Sequence, residues 1–410
     1  MNKKPIISSL FVLALLALAC ANPLNSPTQP PAANVETVVA ATLSALTAAP
    51  ASPSTVAPDS TTSSDILPHS LYYLANDAAG ILQVYRLEKD ATTVSQITFE
   101  TANVEDYGVS PVDGSLAYVV NNQLFTINAD GGNRSLIVDG GALDEINPFV
   151  NKLSNPVWSN DGQTIAFGYK GLNFYSIASG QYNLLIPNQI EDQGNGFIFP
   201  NELIFPEKFS PDGNKLLLTL GYYEGASAAI YYPNGGALVR LQGEHRGIIC
   251  CDTARWSADS ASIYSASSTF GMFAAGLWKV DAATGNVSTL FLGDFDTDPI
   301  QAAEAPFLAP DGNLYFFYAS LPNTGDMVNR PPLQLVRSAP DGVTNRTVLR
   351  PETFNLNNEY LWSPDGRFVI IAIAPIADVY AGGIPTLIYT DAAKGGMELG
   401  KFATNMQWGP

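Results

Sequence analysis

Cysteine, histidine and basic residues are all scarce in this chain. Its 410 residues include three Cys and two His, and 20 Lys and Arg stand against 38 Asp and Glu, so the formal net charge is −18. Three cysteines are too few for a disulfide-rich scaffold. Two histidines, His69 and His245, exclude a metal site built from several imidazole ligands. The negative charge disfavours binding of nucleic acid or anionic lipid by the body of the protein.

Long apolar runs are absent apart from one near the N-terminus. Lys3 and Lys4 precede an apolar core, Leu10 to Ala19, of about ten residues, which is too short for a membrane-spanning helix. This order is typical of an export signal that is removed from the mature protein. We therefore predict a signal peptide at residues 1–19 and an exported protein that faces the outside or the periplasm.

The signal ends in Ala-Leu-Ala-Cys at residues 17–20, which resembles a bacterial lipobox. In that family the cysteine becomes the lipidated first residue of the mature chain, which implies a lipid anchor on Cys20. Ala17 stands where Leu is usual, and the small residues Ala17 and Ala19 also fit ordinary signal cleavage. Lipidation at Cys20 is the prediction, and simple secretion is the alternative.

A linker is predicted at residues 20–65, which are dominated by Pro, Ser, Thr and Ala and contain no aromatic residue. Such a composition buries too little apolar surface to offset the entropy cost of ordering. One stretch, residues 34–48, places Val35, Val39 and Leu43 on one helical face. It is either a marginal helix within the linker or a small docking helix.

An internal repeat dominates residues 66–410. Seven related segments begin at Val109, Trp158, Phe209, Trp256, Leu308, Trp362 and Trp408; five of them begin with an aromatic residue and five contain Asp-Gly. Subtracting successive positions gives spacings of 49, 51, 47, 52, 54 and 46 residues. A near-constant spacing of this length is typical of an array of equivalent structural units.

Each unit has the sequence pattern of four antiparallel strands. Apolar runs rich in β-branched and aromatic residues, such as FVIIAIA at residues 368–374, alternate with turns rich in Gly, Asn and Asp. Four strands in about fifty residues, repeated, are the pattern of a β-propeller blade. The first unit lacks its opening strand, and the last segment supplies only that strand. We therefore predict an all-β fold, a seven-bladed β-propeller closed by the C-terminal strand.

The segment Trp-Ser-Pro-Asp-Gly at residues 362–366, followed by an apolar strand, resembles the TolB-like propeller repeat, a relative of WD-type repeats. The resemblance covers residues 70–410 and is specific for fold rather than function. Similar repeats occur in periplasmic scaffolds, in sugar-active enzymes and in the gating domains of prolyl-oligopeptidase-like enzymes. No Gly-x-Ser-x-Gly element is present, which disfavours the peptidase version. Two copies depart from the motif: the one at Trp256 lacks the turn Gly, and the one at Val109 has an extra residue.

Carboxylates recur at one place in the repeat, two to four residues before the aromatic position. The overall acidic frequency of 38 in 410 predicts about two carboxylates in these seven windows, and they contain six. They are Glu105, Asp106, Glu207, Asp252, Glu304 and Glu359. The sequence predicts an acidic ring at the mouth of the axial channel, where a cation, a metal ion or a basic peptide could bind. A solvated rim on an acidic protein is the alternative.

A metal site is suggested by one loop. Asp294, Asp296 and Asp298 alternate as oxygen ligands do at the start of a calcium loop, although Pro299 stands in the place of the turn Gly. Calcium is the one cofactor that this pattern suggests. A polar loop with Asx turns is the alternative.

Cys250 and Cys251 are adjacent in a chain predicted to be exported, where disulfides persist. Neighbouring Cα atoms lie ~3.8 Å apart, which is below the usual ~4.4–6.8 Å for a disulfide. A strained vicinal disulfide and two separate thiols both remain open. Zinc held by these cysteines with His245 and Asp252 is disfavoured, because adjacent cysteines rarely chelate one ion.

The predicted function is a lipid-anchored extracytoplasmic binding or scaffold module. We expect a monomer that recognises a protein or peptide partner in the cell envelope, or a cationic ligand, at the channel mouth. Contact with the membrane is expected through the lipid anchor only, and no nucleic-acid partner is expected. No residue is assigned a catalytic role. The alternative is a carbohydrate- or lactone-active hydrolase that uses two channel carboxylates as acid and base.

Overall fold

The computed structural model describes residues 65–410. The predicted signal peptide, Cys20, the linker and its helix at residues 34–48 lie outside the described residues. Regular structure in the described part is almost entirely β, and its helical turns are the 3-10 helices Pro148–Val150 and Cys251–Thr253. Within residues 65–410 no helix is long and apolar enough to cross a membrane.

Seven antiparallel sheets form the blades of a propeller, numbered here in chain order. Blade 1 contains Thr404–Trp408, Leu71–Asn76, Leu82–Leu87 and Val94–Gln96, and blade 2 contains Asp106–Val109, Leu116–Val120, Gln123–Ile127 and Ser135–Asp139. Blade 3 contains Ser154–Trp158, Thr164–Gly168, Gly171–Ser176 and Gln181–Pro187. Blade 4 contains Gln189–Asp192, Ile198–Phe209, Leu216–Tyr222, Gly225–Tyr232 and Ala237–Arg240.

The remaining blades follow the same plan. Blade 5 contains Ala254–Trp256, Ser262–Ser267, Ala275–Asp281 and Val287–Gly293. Blade 6 contains Ile300–Leu308, Leu314–Leu321, Leu333–Ser338 and Thr347–Phe354. Blade 7 contains Asn357–Trp362, Phe368–Ile373, Ile384–Tyr389 and Met397–Glu398. The predicted all-β, seven-bladed propeller is confirmed.

The C-terminal strand closes the ring. Leu71 pairs with Trp408 and Tyr72 pairs with Gln407, so Thr404–Trp408 is the innermost strand of blade 1. A blade assembled from both ends of the chain leaves no unpaired edge at the junction. The structure therefore contains the composite first blade that the repeat count predicts.

The Ser-Pro-Asp-Gly turns are fixed by side-chain hydrogen bonds. In blade 7 the Ser363 hydroxyl donates to Asp365 Oδ1 at 2.9 Å, and the Arg367 amide donates to the same oxygen at 3.0 Å. Gly366 occupies the left-handed region at φ +71°. In the copy that lacks this Gly, Ser260 adopts φ 59° instead. An Asx turn can therefore hold this conformation even where glycine is absent.

The hydrophobic core lies between neighbouring blades. One cluster combines Phe317 and Leu335 of blade 6 with Trp362 and Ile371 of blade 7, and all four are buried. The Trp362 ring stacks on Phe307 with ring centroids 5.5 Å apart. The aromatic residue of the repeat thus packs against the preceding blade, where burial of large rings contributes most to stability.

Blade 4 departs from the four-strand pattern. Its first long strand, Ile198–Phe209, has twelve residues, and the preceding segment Gln189–Asp192 pairs with its beginning. The sequence predicts a long loop over residues 187–207, whereas the structure has a hairpin there. The extended strand offers free backbone groups that a neighbouring segment can pair with.

Connections alternate between the two faces of the ring, because every blade is an antiparallel meander. The turn that joins the innermost strand to the next one lies on one face, here called the turn face. The segments from the second to the third strand, and those from one blade to the next, lie on the opposite face, here called the connection face. The sites described below lie on the innermost strands and on the connection face.

Candidate functional site

The predicted acidic residues lie on or beside the innermost strands of the blades. Glu105 is exposed and directly precedes the first strand of blade 2, and Glu207 is half-buried in blade 4. Asp252 belongs to the 3-10 helix Cys251–Thr253, but its side chain lies outside the described part of the structure. The three remaining carboxylates have defined partners in other blades.

Asp106 joins three blades. Its Oδ2 accepts a hydrogen bond from the backbone N–H of Asn155 in blade 3 at 2.7 Å, and its Oδ1 accepts one from Asn405 Nδ2 in blade 1 at 3.3 Å. Asn155 and Asn405 both have positive φ, 51° and 53°, and occupy equivalent places in their strands. Asparagine tolerates this conformation better than most residues. The Asp106 carboxylate therefore links blade 2 to blades 1 and 3 through hydrogen bonds.

Glu359 ties blade 7 to blade 1. Its Oε1 accepts a hydrogen bond from the Thr404 hydroxyl at 2.5 Å, and its Oε2 accepts one from the backbone N–H of Met406 at 3.2 Å. Both donors belong to the C-terminal strand that closes the ring. Hydrogen bonds to a charged acceptor are about twice as strong as neutral ones. Glu359 thus helps to hold the junction of the chain ends.

Glu304 is half-buried on the innermost strand of blade 6. It accepts hydrogen bonds from the hydroxyls of Ser268 and Tyr360, which belong to blades 5 and 7. Desolvation raises the pKa of Glu304, and these two hydrogen bonds and the charge of Arg330 oppose the shift without cancelling it. The same surroundings place the pKa of Tyr360 well above its usual range, through burial and then the charge of Glu304.

Arg330 lies beside Glu304, and no sequence pattern pointed to it. Its backbone has φ 49°, a strained value for a residue with a long side chain. Its Nη2 donates hydrogen bonds to Asn358 Oδ1 at 2.9 Å and to the backbone carbonyl of Val379. With Glu304 and Asn357 it lines a cavity of about 10 Å³. That volume holds about one water molecule. The channel wall at blade 6 is therefore closely packed.

The three aspartates of the 294–298 loop do not converge. Asp294 forms an ion pair with Arg246 at 2.6 Å, and Asp296 pairs with the same guanidinium at 3.3 Å. Asp298 accepts a hydrogen bond from the backbone N–H of Asn323 instead. Among the described residues no three His, Cys, Asp or Glu side chains are grouped so that they could hold a metal ion. The arrangement is that of a polar loop with an arginine partner, and calcium binding at this loop stays a prediction.

Cys250 and Cys251 form a vicinal disulfide in the structure, with Cα atoms 3.7 Å apart. Cys250 is buried in the core cluster that contains Trp256 and Trp278, whereas Cys251 is exposed. His245 has its Nδ1 at 2.8 Å from the carbonyl oxygen of Gly247. The pair gives this inter-blade connection a covalent constraint next to the core.

An exposed apolar surface on the connection face was not anticipated from the sequence. It consists of five side chains of blades 5 to 7, each between 55% and 77% exposed, and is here called the apolar arc. Its members are Met272, Phe295, Met327, Ile376 and Tyr380. Exposed apolar groups scattered singly are ordinary, but grouped ones mark interaction sites.

Contacts among the loops join the segments that carry the apolar arc. The Phe295 and Phe270 rings pack edge to face, with their centroids 4.5 Å apart. Phe270 also forms an antiparallel bridge with Val328, which is next to Met327. Asn329 Nδ2 then donates to the Tyr380 hydroxyl at 3.3 Å. The loops of blades 5, 6 and 7 are thereby joined side by side.

Comparison with known proteins shows the fold. No protein-family model and no curated protein sequence matches the chain. An oligogalacturonate lyase in complex with manganese is 8% identical, with 81% of this chain and 85% of that chain covered and a TM-score of 0.51. A prolyl endopeptidase is 12% identical, with 84% of this chain but 51% of that chain covered and a TM-score of 0.51. TolB from Acinetobacter baumannii is 14% identical, with 83% and 82% covered and a TM-score of 0.40.

The chain is a seven-bladed β-propeller. Identities this low show the shared architecture alone, because one fold hosts many unrelated functions. The propeller spans about half of the prolyl endopeptidase that it matches. The activity of any of these proteins therefore does not transfer to this propeller by likeness, and its function has to be argued from its own surfaces.

Proposed function

We propose that the protein is an extracytoplasmic binding module, anchored by lipid on Cys20, whose propeller recognises a protein partner of the cell envelope on its connection face. One contrast carries the proposal. The inner-strand carboxylates Asp106, Glu304 and Glu359 accept hydrogen bonds from neighbouring blades. The connection face meanwhile exposes the large side chains of the apolar arc.

A rigid ring suits recognition. Its loops are fixed at both ends by strands of closed sheets, so that little conformational entropy is lost when a partner binds. Glu105 is exposed at the channel mouth, and the net charge is −18. Both would attract a cationic ligand or a basic segment to the mouth of the channel. The low-complexity linker would let the ring reach partners at some distance from the membrane.

Affinity capture tests this function. The exported full chain with Cys20→Ala is immobilised and exposed to envelope extract, beside two further variants. One carries Met272→Gln and Met327→Gln, and the other carries Glu105→Gln, Glu207→Gln and Asp252→Asn, which leaves the inter-blade hydrogen bonds of Asp106, Glu304 and Glu359 in place. A protein retained by the parent chain and lost from the methionine variant supports the connection face. Loss from the acidic variant alone supports the channel instead, and retention of no protein by any chain contradicts a binding module.

A hydrolase is the second candidate, because desolvation raises the pKa of Glu304 as a general acid requires. Acid and base catalysis on a glycoside needs a second carboxylate about 5–10 Å away across a substrate-sized space. The cavity beside Glu304 has a volume of about 10 Å³. Turnover of sugar or lactone substrates that disappears in Glu304→Gln would favour the hydrolase over the binding module.

A further inference from the structure

We propose that the apolar arc binds an amphipathic, cationic segment of the partner, in which apolar side chains are flanked by Lys or Arg. This assignment rests on the proposed function and adds the chemistry of the partner. Two methionines, a phenylalanine, an isoleucine and a tyrosine form the surface. Flexible methionine side chains and rigid aromatic rings are common at protein interfaces, because they adapt to and anchor apolar groups of a partner.

The charges around the apolar arc are almost all negative. Asp298, Asp326 and Asp378 are exposed on the same loops, and Asp296, also exposed, is paired with Arg246 of the neighbouring connection. Arg330 is the only basic residue in loops 268–274, 294–299, 322–332 and 374–383. Its guanidinium lies 4.6 Å from the centre of the Tyr380 ring and donates inward to Asn358 and Val379, so it adds little positive charge at the rim.

This charge pattern favours some binding partners of the apolar arc over others. A second copy of the chain would bring its own acidic rim, and an anionic lipid surface or a nucleic acid would also meet like charge, which opposes association. A segment with Lys or Arg beside its apolar side chains meets both requirements of the surface. Its apolar groups would cover the arc, and its cations would face Asp298, Asp326 and Asp378 and speed the encounter.

Binding of labelled synthetic peptides, followed by fluorescence anisotropy, tests the assignment on the Cys20→Ala chain. The probes are an amphipathic peptide of Leu and Lys, a matched peptide of Leu and Glu, and a Lys peptide in which Gln replaces Leu. We expect binding of the Leu-Lys peptide only, weaker at higher salt. Met272→Gln with Met327→Gln should weaken that binding by about tenfold or more, as loss of central apolar contacts does.

Matched variants separate a specific surface from general attraction to an acidic protein. Asp326→Asn with Asp378→Asn should weaken binding and reduce its salt dependence. Asp130→Asn with Asp341→Asn makes the same change in charge on the turn face, where Asn can still accept the turn hydrogen bonds, and should leave binding unchanged. Val112→Gln is the corresponding apolar control on that face.

The assignment is overturned by equal effects of both aspartate pairs, and equally by peptide binding that survives the methionine changes. If the chain still retains an envelope protein in the capture experiment, the proposed function stands and only the arc assignment fails. If nothing is captured and no peptide binds, both fail. Equal binding of the Leu-Glu peptide would show apolar adhesion without charge selection and would also contradict the proposal.

Discussion

The indole N–H of Trp408 donates a hydrogen bond to the backbone carbonyl of Trp362 at 2.7 Å, across the junction between blades 1 and 7. Trp362 donates in turn to the carbonyl of Ala305 in blade 6 at 2.9 Å, and Trp256 donates to that of Lys208 in blade 4 at 3.2 Å. The repeated tryptophan therefore joins each of these blades to the preceding one through both its ring and its N–H. The Trp158 N–H, although buried, has no hydrogen-bond partner among the described residues.

This difference predicts unequal effects of one substitution. Trp408→Phe removes a hydrogen bond at the ring closure and should lower the free energy of unfolding by about 1–2 kcal/mol. Trp158→Phe removes the same atoms but no hydrogen bond to another described residue, and should lower the free energy of unfolding clearly less. Denaturant unfolding of each variant measures its loss of unfolding free energy relative to the parent chain. Equal losses would mean that ring packing alone accounts for the role of the tryptophans.

The turn aspartates should show depressed pKa values that depend on the preceding serine. The Ser159 hydroxyl donates to Asp161 Oδ1 at 2.6 Å, and this bond, with the Gln163 amide, holds the pKa of Asp161 below its usual range. Ser159→Ala should move that pKa towards the ordinary value of about 3.9. NMR titration of the carboxyl carbon reports it directly, and an unchanged pKa in the variant would contradict the role of the hydroxyl.

These turns also predict the direction of acid sensitivity. A carboxyl whose pKa is lower in the folded state stabilises the fold above its unfolded pKa, and this contribution is lost as pH falls through the folded value. The Ser257 hydroxyl holds the pKa of Asp259 down in the same way. Melting temperature should therefore fall as pH drops below about 4. Combined Ser159→Ala and Ser257→Ala should make that fall shallower, and a steeper one would refute the argument.

For Glu304 we predict the opposite dependence of stability on pH. Its pKa is raised in the folded state by desolvation, so the unfolded chain loses this proton first and stability declines as pH rises above the ordinary value of about 4.3. Glu304→Gln removes the titration and should be at least as stable as the parent chain at pH 7. Tyr360→Phe removes a donor to the carboxylate and should extend the decline to higher pH. Unfolding free energies between pH 4 and 8 test both, and a large loss in Glu304→Gln at neutral pH would show that the ionised form is the stabilising one.

The vicinal disulfide predicts the reactivity of the two thiols. In the Cys20→Ala chain, Cys250 and Cys251 are the remaining cysteines. Without reductant, alkylation of the unfolded protein should add no label, and after reduction it should add two, which intact-mass spectrometry distinguishes. Two labels without reductant would show separate thiols. Cys251→Ser, with one free thiol, serves as the positive control.

Much of the fold could be predicted because the signals for it are local. Strands such as FVIIAI at Phe368–Ile373 and turns such as that at Gly366 are defined within a few residues, and regular spacing fixes their number. The fifth strand of blade 4 could not be predicted in this way. Gln189–Asp192 pairs as a strand only because Ile198–Phe209 extends beyond the usual blade.

The candidate sites were less predictable, because proximity of side chains decides their chemistry. The excess of carboxylates before the aromatic position is visible in the sequence, but their partners are not. Glu359 meets Thr404 and Asp106 meets Asn405 only after the ring has closed. Arg330 and the apolar arc lie in loops without periodic patterning, where exposure depends on what the neighbouring blades cover.

The sequence by itself determined a repeat of strands and turns, the number of blades and the composite blade that joins the two ends, because turn chemistry and apolar runs act over a few residues. Only the tertiary structure decided that Asp106, Glu304 and Glu359 bind other blades, and that Met272 and Met327 remain uncovered. The contacts of these three carboxylates join residues 36 to 299 positions apart, which meet only when the sheets pack around a common axis.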